Sequence, residues 1–265
     1  MSFVELNQLL WERMRSRVLI AGGPNTGKTT SLVTFPHDDK GGMHVLLYPG
    51  EKGGASVPQD PYVKGYVWEV DPGKKLASAA IVTQVGKLTT EILAGKHGPC
   101  QTFAGDGLHK FIGYILDDVT GGAFFDGEEF EARLYGRAYQ VFLDYLNDVT
   151  QSAVENVVFT AWDGSEADRA KKPGEKASDI PSHTYPDLPG RLAKLIMGEF
   201  SVVVSAQTHK SRDPAKPQQY LWQLQRDDTV WGCGVKGPTE VTSKLPKYIP
   251  QDWRVLGSLL MGEKK

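Results

Sequence analysis

Cysteine and long apolar runs are scarce in this 265-residue sequence, and each scarcity excludes a class of protein. The two cysteines, Cys100 and Cys233, are too few and too far apart for a disulfide framework or a zinc site. No apolar run approaches the roughly 20 residues that span a bilayer, and charged residues interrupt the amino-terminal segment where a signal peptide would lie. We therefore expect a soluble cytoplasmic protein that has no membrane partner.

An excess of positive charge is also missing. The 30 Lys and Arg residues against 32 Asp and Glu residues give a formal net charge of -2. A chain with this balance has no global basic field that could hold nucleic acid by counterion release, so any nucleic-acid site must be local. The 40% hydrophobic content is enough for a large buried core and argues against disorder as the main state.

Strand-like and helix-like segments alternate along the chain. Helical patterns are expected at 1–16, 28–36, 75–94 and 191–197, and mostly over 108–151. Apolar strands are expected at 17–21, 44–48, 67–70, 100–104, 157–161 and 200–206, followed by a terminal antiparallel hairpin of 220–225 and 230–235. This alternation predicts an α/β fold, with a mainly parallel sheet and helices on both faces.

The expected domain organisation is one large domain. Residues 1–16 would form an amino-terminal helix, and residues 17–265 would form the sheet domain with a helical insertion at about 108–151. A polar loop rich in Gly, Pro, Lys and Asp spans about 163–189. A loop of that length inside a compact domain is usually functional or disordered.

The most specific motif follows the first predicted strand. The run Gly22, Gly23, Pro24, Asn25, Thr26, Gly27, Lys28, Thr29 matches the pattern G-x-x-x-x-G-K-[ST] and is followed by Thr30. Its glycines allow backbone N–H groups to surround phosphates, while the lysine reaches the β and γ phosphates and the threonine hydroxyl binds Mg²⁺. The sequence therefore predicts a P-loop site for ATP and Mg²⁺, with Lys28 also serving catalysis.

Two acidic residues follow predicted strands and are candidates for the rest of the catalytic set. Asp106 comes after 100–104 and is the preferred metal-binding acid, ahead of Asp117 and Asp118, which lie in a helical pattern. The alternative for Asp106 is a helix N-cap. Glu51 follows 44–48 and is a candidate general base for the attacking water, against the alternative of a solvated turn acid.

Thr160 and Asp163 come at the end of the strand predicted at 157–161 and are candidate sensors of the γ phosphate. Threonine is also common in strands on β propensity alone, so an ordinary strand residue is the alternative. The scattered histidines have no metal-ligand spacing and are interpreted as ordinary hydrogen-bonded or surface residues.

The order of these motifs resembles the RecA-like P-loop ATPases, in particular the short phage-encoded members associated with single-strand annealing and recombination. The resemblance covers most of the chain and is carried by RVLIAGGPNTGKTTSLVTFP, HVLLYPGEKGG, TFAGDGLHKF and YPDLPGRLAKLIMGEFSVVVSAQ. It implies that Glu51 is the catalytic glutamate and Asp106 the metal-binding aspartate. A polar sensing residue is common in the family where Ala161 and Trp162 stand here.

The resemblance also implies partners. RecA-like proteins often assemble head to tail, with a cation of one subunit completing the site of the next, so a homo-oligomer is expected. Arg226 and Lys236 are the candidates for such a trans-acting cation, followed by Lys210 and Arg212. Single-stranded DNA is the expected nucleic acid, although acidic residues nearly cancel the charge of the basic loop residues that would contact it, Arg169, Lys171, Lys172 and Lys176. Trp162 or Tyr185 could stack on a base.

Three functions remain open at this stage. The leading one is an ATP-dependent DNA recombination or annealing protein. The second is a small-molecule phosphotransferase whose long loop acts as a lid. The third is a nucleotide-gated assembly or packaging factor.

Overall fold

The computed structural model describes residues 16–51, 53–57, 59–68, 77–127, 129, 131–165, 184–188, 192–209, 217–230, 232–237 and 239–261. The predicted helix at 1–16 falls almost entirely outside the described residues. Most of the polar loop predicted at 163–189 also falls outside them, and so do Lys210 and Arg212.

Nine of the strands in the described part of the chain form one sheet, in the order β11-β9-β8-β1-β5-β4-β2-β3, with β10 also paired to β8. Strands β6 and β7 form a separate antiparallel ribbon. The strands are β1 (Ser16–Gly22), β2 (Gly42–Leu47), β3 (Val63–Tyr66), β4 (Cys100–Asp106), β5 (Asn156–Ala161), β6 (Asp163–Ser165), β7 (Thr184–Pro186), β8 (Val202–His209), β9 (Gln219–Gln223), β10 (Gly234–Val235) and β11 (Tyr248–Pro250).

Helices cover both faces of the sheet. The α-helices in the described residues are α1 (Lys28–Ser31), α2 (Ser78–Leu93), α3 (Leu108–Val119), α4 (Ala123–Asp126), α5 (Ala132–Thr150), α6 (Leu192–Ile196), α7 (Thr239–Thr242) and α8 (Trp253–Leu260). Short 3-10 helices lie at Leu32–Thr34 and Gly53–Ser56. Buried residues of α2, α3, α5 and α6 pack in one core cluster, and those of α8 pack with the first 3-10 helix in a second one.

Alternate residues of the central strands contribute to the two cores. In β1, Leu19 belongs to the first cluster, whereas Val18 and Ile20 belong to the second. A strand that is buried on both faces is expected to be apolar at nearly every position, which is how this strand reads in the sequence. The six strands from β8 to β3 are parallel to one another, so the predicted mainly parallel α/β sheet is confirmed.

The third strand was misplaced by the sequence pattern. The apolar run at 67–70 predicts it, but β3 is Val63–Tyr66 and pairs with β2 through Met43 opposite Val63. Val67 is 60% exposed, and residues 69 and 70 lie outside the described part of the chain. An edge strand needs few buried side chains, so apolar content alone is a poor guide to its position.

The antiparallel C-terminal strands are confirmed, but their pairing differs from the predicted hairpin. Strands β9 and β10 do not pair with each other; both run antiparallel to β8, against successive parts of it. Asp227 accepts hydrogen bonds from the backbone N–H groups of Thr229 (2.9 Å) and Val230 (2.7 Å), which forms the expected turn. The chain then returns to the edge of β8, and β11 pairs with the other edge of β9.

Arg17 ties the start of β1 to the end of α5. Its side chain is buried, with the residue 7% exposed, and its guanidinium donates to the carbonyl oxygens of Thr150 (2.5 Å), Val154 (3.2 Å) and Glu155 (3.2 Å). The carbonyl oxygens of Ser16 and Ser152 accept further bonds from it. A planar fork of N–H donors is suited to collecting several carbonyl groups in this way.

The buried Arg17 guanidinium should contribute to the stability of the fold. Arg17→Lys should lower the free energy of unfolding by about 2–3 kcal/mol, because an ammonium cannot satisfy the same set of buried carbonyl oxygens. Urea unfolding followed by circular dichroism measures the change. The matched control is Arg133→Lys, whose side chain is 79% exposed and should cost under about 0.5 kcal/mol. Equal losses for the two variants would contradict the role given to Arg17.

Candidate functional site

The P-loop lies where β1 leaves the sheet. Strand β1 ends at Gly22 between β5 and β8, and the turn that follows runs directly into α1 at Lys28. Gly27 has a φ of 83°, which favours glycine, and Asn25 has a φ of 60°. The sequence motif therefore forms the turn between a strand and a helix, which is the context that its phosphate-binding mechanism requires.

Close packing explains two of the P-loop glycines. A Cβ on Gly22 would lie 2.6 Å from the carbonyl oxygen of Ala206 on β8. A Cβ on Gly27 would lie 2.7 Å from Oε1 of Gln251 and 2.9 Å from Cδ1 of Tyr220. All three distances are shorter than a real Cβ contact. Gly22 would meet backbone, and Gly27 also has the positive φ that favours glycine, so both positions require it.

The Lys28 side chain folds back onto the P-loop and contacts its backbone. Its Nζ donates to the carbonyl oxygens of Gly22 (2.7 Å) and Gly23 (2.6 Å), and the residue is 8% exposed. Burial lowers the pKa of this ammonium, while the carboxylates of Asp163, Asp106 and Glu51 oppose that shift in decreasing order. The result is a poorly solvated cation at the mouth of a phosphate-binding turn.

Asp106 is brought next to Thr29. The Thr29 hydroxyl donates to Oδ2 of Asp106 at 2.7 Å, and Asp106 is 2% exposed at the end of β4. Hydroxyl and carboxylate oxygens are the hard ligands that Mg²⁺ prefers, so the two residues predicted as metal ligands fit that ion. Asp117 contacts other residues: its carboxylate accepts hydrogen bonds from the Ser78 hydroxyl (2.5 Å) and the Phe125 backbone N–H (3.0 Å).

Strand β4 reaches Asp106 through a glycine rather than ending before it. The sequence pattern placed the end of the strand at Ala104, but it continues through Gly105 to Asp106. A Cβ on Gly105 would lie 2.6 Å from the Phe159 ring and 2.8 Å from the Tyr48 hydroxyl. The break in the apolar run is therefore a packing requirement of the strand itself.

Thr160 is placed beside Asp106 by the pairing of β4 with β5. Its hydroxyl donates to Oδ1 of Asp106 and accepts a hydrogen bond from the Gly107 N–H at 3.0 Å. These contacts orient the carboxylate that faces Thr29. The residue predicted as a phosphate sensor thus holds Asp106 in position.

Glu51 reaches the same site from the end of β2. Its backbone N–H donates to the carbonyl oxygen of Tyr48 at 2.9 Å, which folds the chain back after the strand. Its side chain lies over Gly107, where an added Cβ would be 2.7 Å from Oε2. Gly107 has a φ of 88°, so both its backbone and the space above it require glycine.

These groups share one cavity of about 810 Å³. Besides the P-loop residues from Pro24 to Thr30, its lining includes Ser31, Val33, Thr34, Glu51, Ser56, Asp106, Thr160, Trp162, Tyr220 and Gln251. A volume of this size suits a ligand as large as a nucleotide.

Tyr220 and Gln251 were missed by the sequence analysis. Tyr220 on β9 is 45% exposed, and the Gln251 side chain donates to the carbonyl oxygens of Thr26 (2.8 Å) and Leu221 (3.1 Å). Gln251 and Thr26 are 225 positions apart along the chain. Neither residue lies in a motif, so the pairing of β9 with β8 and β11 was needed to find them.

Trp162 also lines the cavity, and His109 and Lys110 pack against it. Its backbone N–H donates to Nδ1 of His109 at 3.3 Å, and the centroids of the two rings are 4.8 Å apart in a stacked arrangement. The Lys110 ammonium lies 4.6 Å from the Trp162 ring centroid. Burial, followed by Lys110 and Lys28, lowers the pKa of His109 to about 3. The imidazole is therefore neutral at ordinary pH, and it can accept the Trp162 hydrogen bond.

The other predicted positions lie away from this cavity or outside the described residues. Arg226 donates to the Cys233 carbonyl oxygen at 3.1 Å, and Lys236 donates to that of Gly198. Tyr185 is 5% exposed, which leaves its ring unable to stack on a base. The candidate DNA-loop residues Arg169, Lys171, Lys172 and Lys176 fall outside the described residues.

The described residues contain no cluster of three or more His, Cys, Asp or Glu side chains able to hold a metal ion. None of their helices has the length and apolar character needed to cross a membrane.

The family model described as an AAA domain matches residues 14–232. No curated protein matches the chain. Among solved structures, it is similar to the X-ray structure of the Legionella pneumophila ATPase DotB, with 9% identity and a TM-score of 0.32. The match covers 80% of this chain and 46% of the DotB chain, so the chain spans less than half the length of that structure.

Proposed function

The chain belongs to the AAA domain family, and on that basis we propose that it binds ATP with Mg²⁺ in the cavity beside the P-loop and hydrolyses the γ phosphate. One observation carries the proposal. A buried lysine, a hydroxyl paired with an aspartate and a separate glutamate, which come from three different strand ends, all border one cavity of nucleotide size.

The roles follow from the contacts of each residue. The Lys28 ammonium would exchange the carbonyl oxygens of Gly22 and Gly23 for phosphate oxygens, which it can bind without a large change of position. Thr29 and Asp106 would hold Mg²⁺, which supplies positive charge to the β and γ phosphates when bound. Glu51 would orient the attacking water and accept its proton.

The sheet order suggests how the nucleotide lies. Relative to β1, strands β5, β4 and β2 carry Thr160, Asp106 and Glu51 on one side, while β8 and β9 place Tyr220 on the other. We propose that the terminal phosphate points toward Asp106 and that the base lies toward Tyr220 and Gln251. A half-exposed aromatic ring beside a phosphate loop is suited to contact with a base.

Removal of the Lys28 ammonium tests nucleotide binding. Lys28→Ala should weaken ATP–Mg²⁺ binding about 100-fold or more, because two charge-assisted hydrogen bonds to phosphate are lost. Titration calorimetry gives the affinity. Lys87→Ala, at an exposed position of α2, is the control and should bind like the wild type. Wild-type protein that gives no heat with any nucleotide would end the proposal.

Neutralising Glu51 separates binding from hydrolysis. Glu51→Gln should change ATP affinity by less than about threefold but slow turnover by about 10²- to 10⁴-fold, the usual contribution of a positioned general base. Phosphate release under saturating ATP measures the rate, with the exposed Glu240→Gln variant as the control. Unchanged turnover in Glu51→Gln would remove this residue from the mechanism.

We further propose that the ATPase acts on single-stranded DNA in recombination or annealing, as a cytoplasmic homo-oligomer and in the bacterial host if the gene is phage-derived. The support is the motif resemblance described above, together with the place of the basic residues in the sequence. These residues come between β6 and β7 in the chain, and β6 begins at Asp163, two residues after β5 ends near the nucleotide cavity. Binding of DNA there would act on residues next to Trp162.

Single-stranded DNA should therefore stimulate ATP turnover and be retained on filters at low salt, with retention that weakens as salt rises. Replacing Arg169, Lys171, Lys172 and Lys176 by Ala should remove the stimulation and leave turnover without DNA unchanged. Absence of retention with or without ATP would contradict the DNA proposal. Phosphate transfer to a nucleoside would favour a phosphotransferase, and ATP-dependent assembly without turnover would favour an assembly factor.

A further inference from the structure

Asp163 is a third carboxylate next to the P-loop lysine, and the proposed mechanism gives it no task. It makes the largest acidic contribution to the pKa of Lys28, ahead of Asp106 and Glu51. One of its oxygens, Oδ1, would lie 3.6 Å from a Cβ placed on Gly23. The carbonyl oxygen of Gly23 accepts a hydrogen bond from the Lys28 ammonium at 2.6 Å. The carboxylate therefore lies beside the start of the P-loop, close to the Lys28 ammonium.

The backbone holds this carboxylate in place. Asp163 is opposite Pro186 in the β6–β7 ribbon, and the N–H of Asp187 donates to the Trp162 carbonyl oxygen at 2.6 Å. The backbone N–H of Trp162 donates to Nδ1 of His109, whose ring stacks on the indole. Both backbone groups of Trp162, the residue before Asp163, are therefore hydrogen-bonded, and Asp163 itself is paired in the ribbon. These contacts hold the carboxylate beside the loop.

A fixed carboxylate opposes a triphosphate at this position. It has no proton to donate when ionised, so it cannot bind a phosphate oxygen, and its partly buried location limits the screening of its charge. Burial raises the pKa of Asp163, and the nearby Lys28 ammonium offsets only part of that rise. A divalent cation that travels with the nucleotide would offset the repulsion by adding positive charge to the phosphates.

We propose that Asp163 sets the divalent-cation requirement of triphosphate binding by penalising the metal-free nucleotide. The inference rests on the proposed ATP site and goes beyond it, because it assigns to Asp163 the discrimination between free and metal-bound nucleotide. It differs from an attractive phosphate sensor, for which a hydrogen-bond donor would be needed.

The test compares Asp163→Asn with Asp39→Asn, which makes the same change of charge at an exposed position before β2, at the end of the sheet opposite the P-loop. Titration calorimetry would measure ATP and ADP affinities of each protein and the wild type, once in excess Mg²⁺ and once in excess chelator. Thermal unfolding of each variant establishes that it is folded.

Asp163→Asn should bind metal-free ATP about tenfold more tightly than the wild type, the size expected when one unit charge near a phosphate is removed at intermediate effective dielectric. The gain should be smaller for ADP and for both nucleotides in Mg²⁺, and Asp39→Asn should match the wild type. Unchanged affinity for metal-free ATP, an equal gain in both variants, or weaker binding in Mg²⁺ would overturn the inference. Failure of the wild type to bind any nucleotide would instead overturn the proposed function, and the inference with it.

Discussion

The pairing of β1 with β5 on one edge and β8 on the other is the constraint on which the rest of this structure depends. It buries the strand on both faces and both edges, so its end point is determined by the whole sheet rather than by local turns. Because the strands are parallel, the carboxyl ends of β1, β2, β4 and β5 open on the same edge. Lys28, Glu51, Asp106 and Thr160 are brought together by that edge.

Glycine is the second requirement of the site. Gly22, Gly105 and Gly107 each lie where a Cβ would come within 3 Å of another atom, and each adjoins a residue of the candidate machinery or begins its loop. Such positions weaken the apolar pattern of a strand or lengthen an apparent turn. In this protein these glycines lie where the backbone approaches a neighbouring segment closely, and that approach brings the polar side chains of the site into contact.

The electrostatics of the cavity follow from its burial. An isolated buried ammonium would be costly, and Lys28 is accommodated by two carbonyl oxygens and by the field of nearby carboxylates. The carboxylates differ in their surroundings: Asp106 contacts two threonine hydroxyl groups, Glu51 lies over Gly107, and Asp163 is built into a ribbon beside the loop. Similar side chains at one site can therefore have different tasks, because their partners differ.

The sequence by itself determined the α/β class, most strand positions and the P-loop, because periodicity and a glycine-lysine motif are local signals that survive without knowledge of distant neighbours. It also selected Asp106 and Glu51, since each comes soon after a predicted strand. Strand β3, the separate pairing of β9 and β10 with β8, and the exact end of β4 were decided by tertiary structure, because edge strands and glycine contacts are specified by what packs against them. Tyr220, Gln251 and the support of Trp162 by His109 likewise depended on contacts between segments far apart in the chain, which no local pattern encodes.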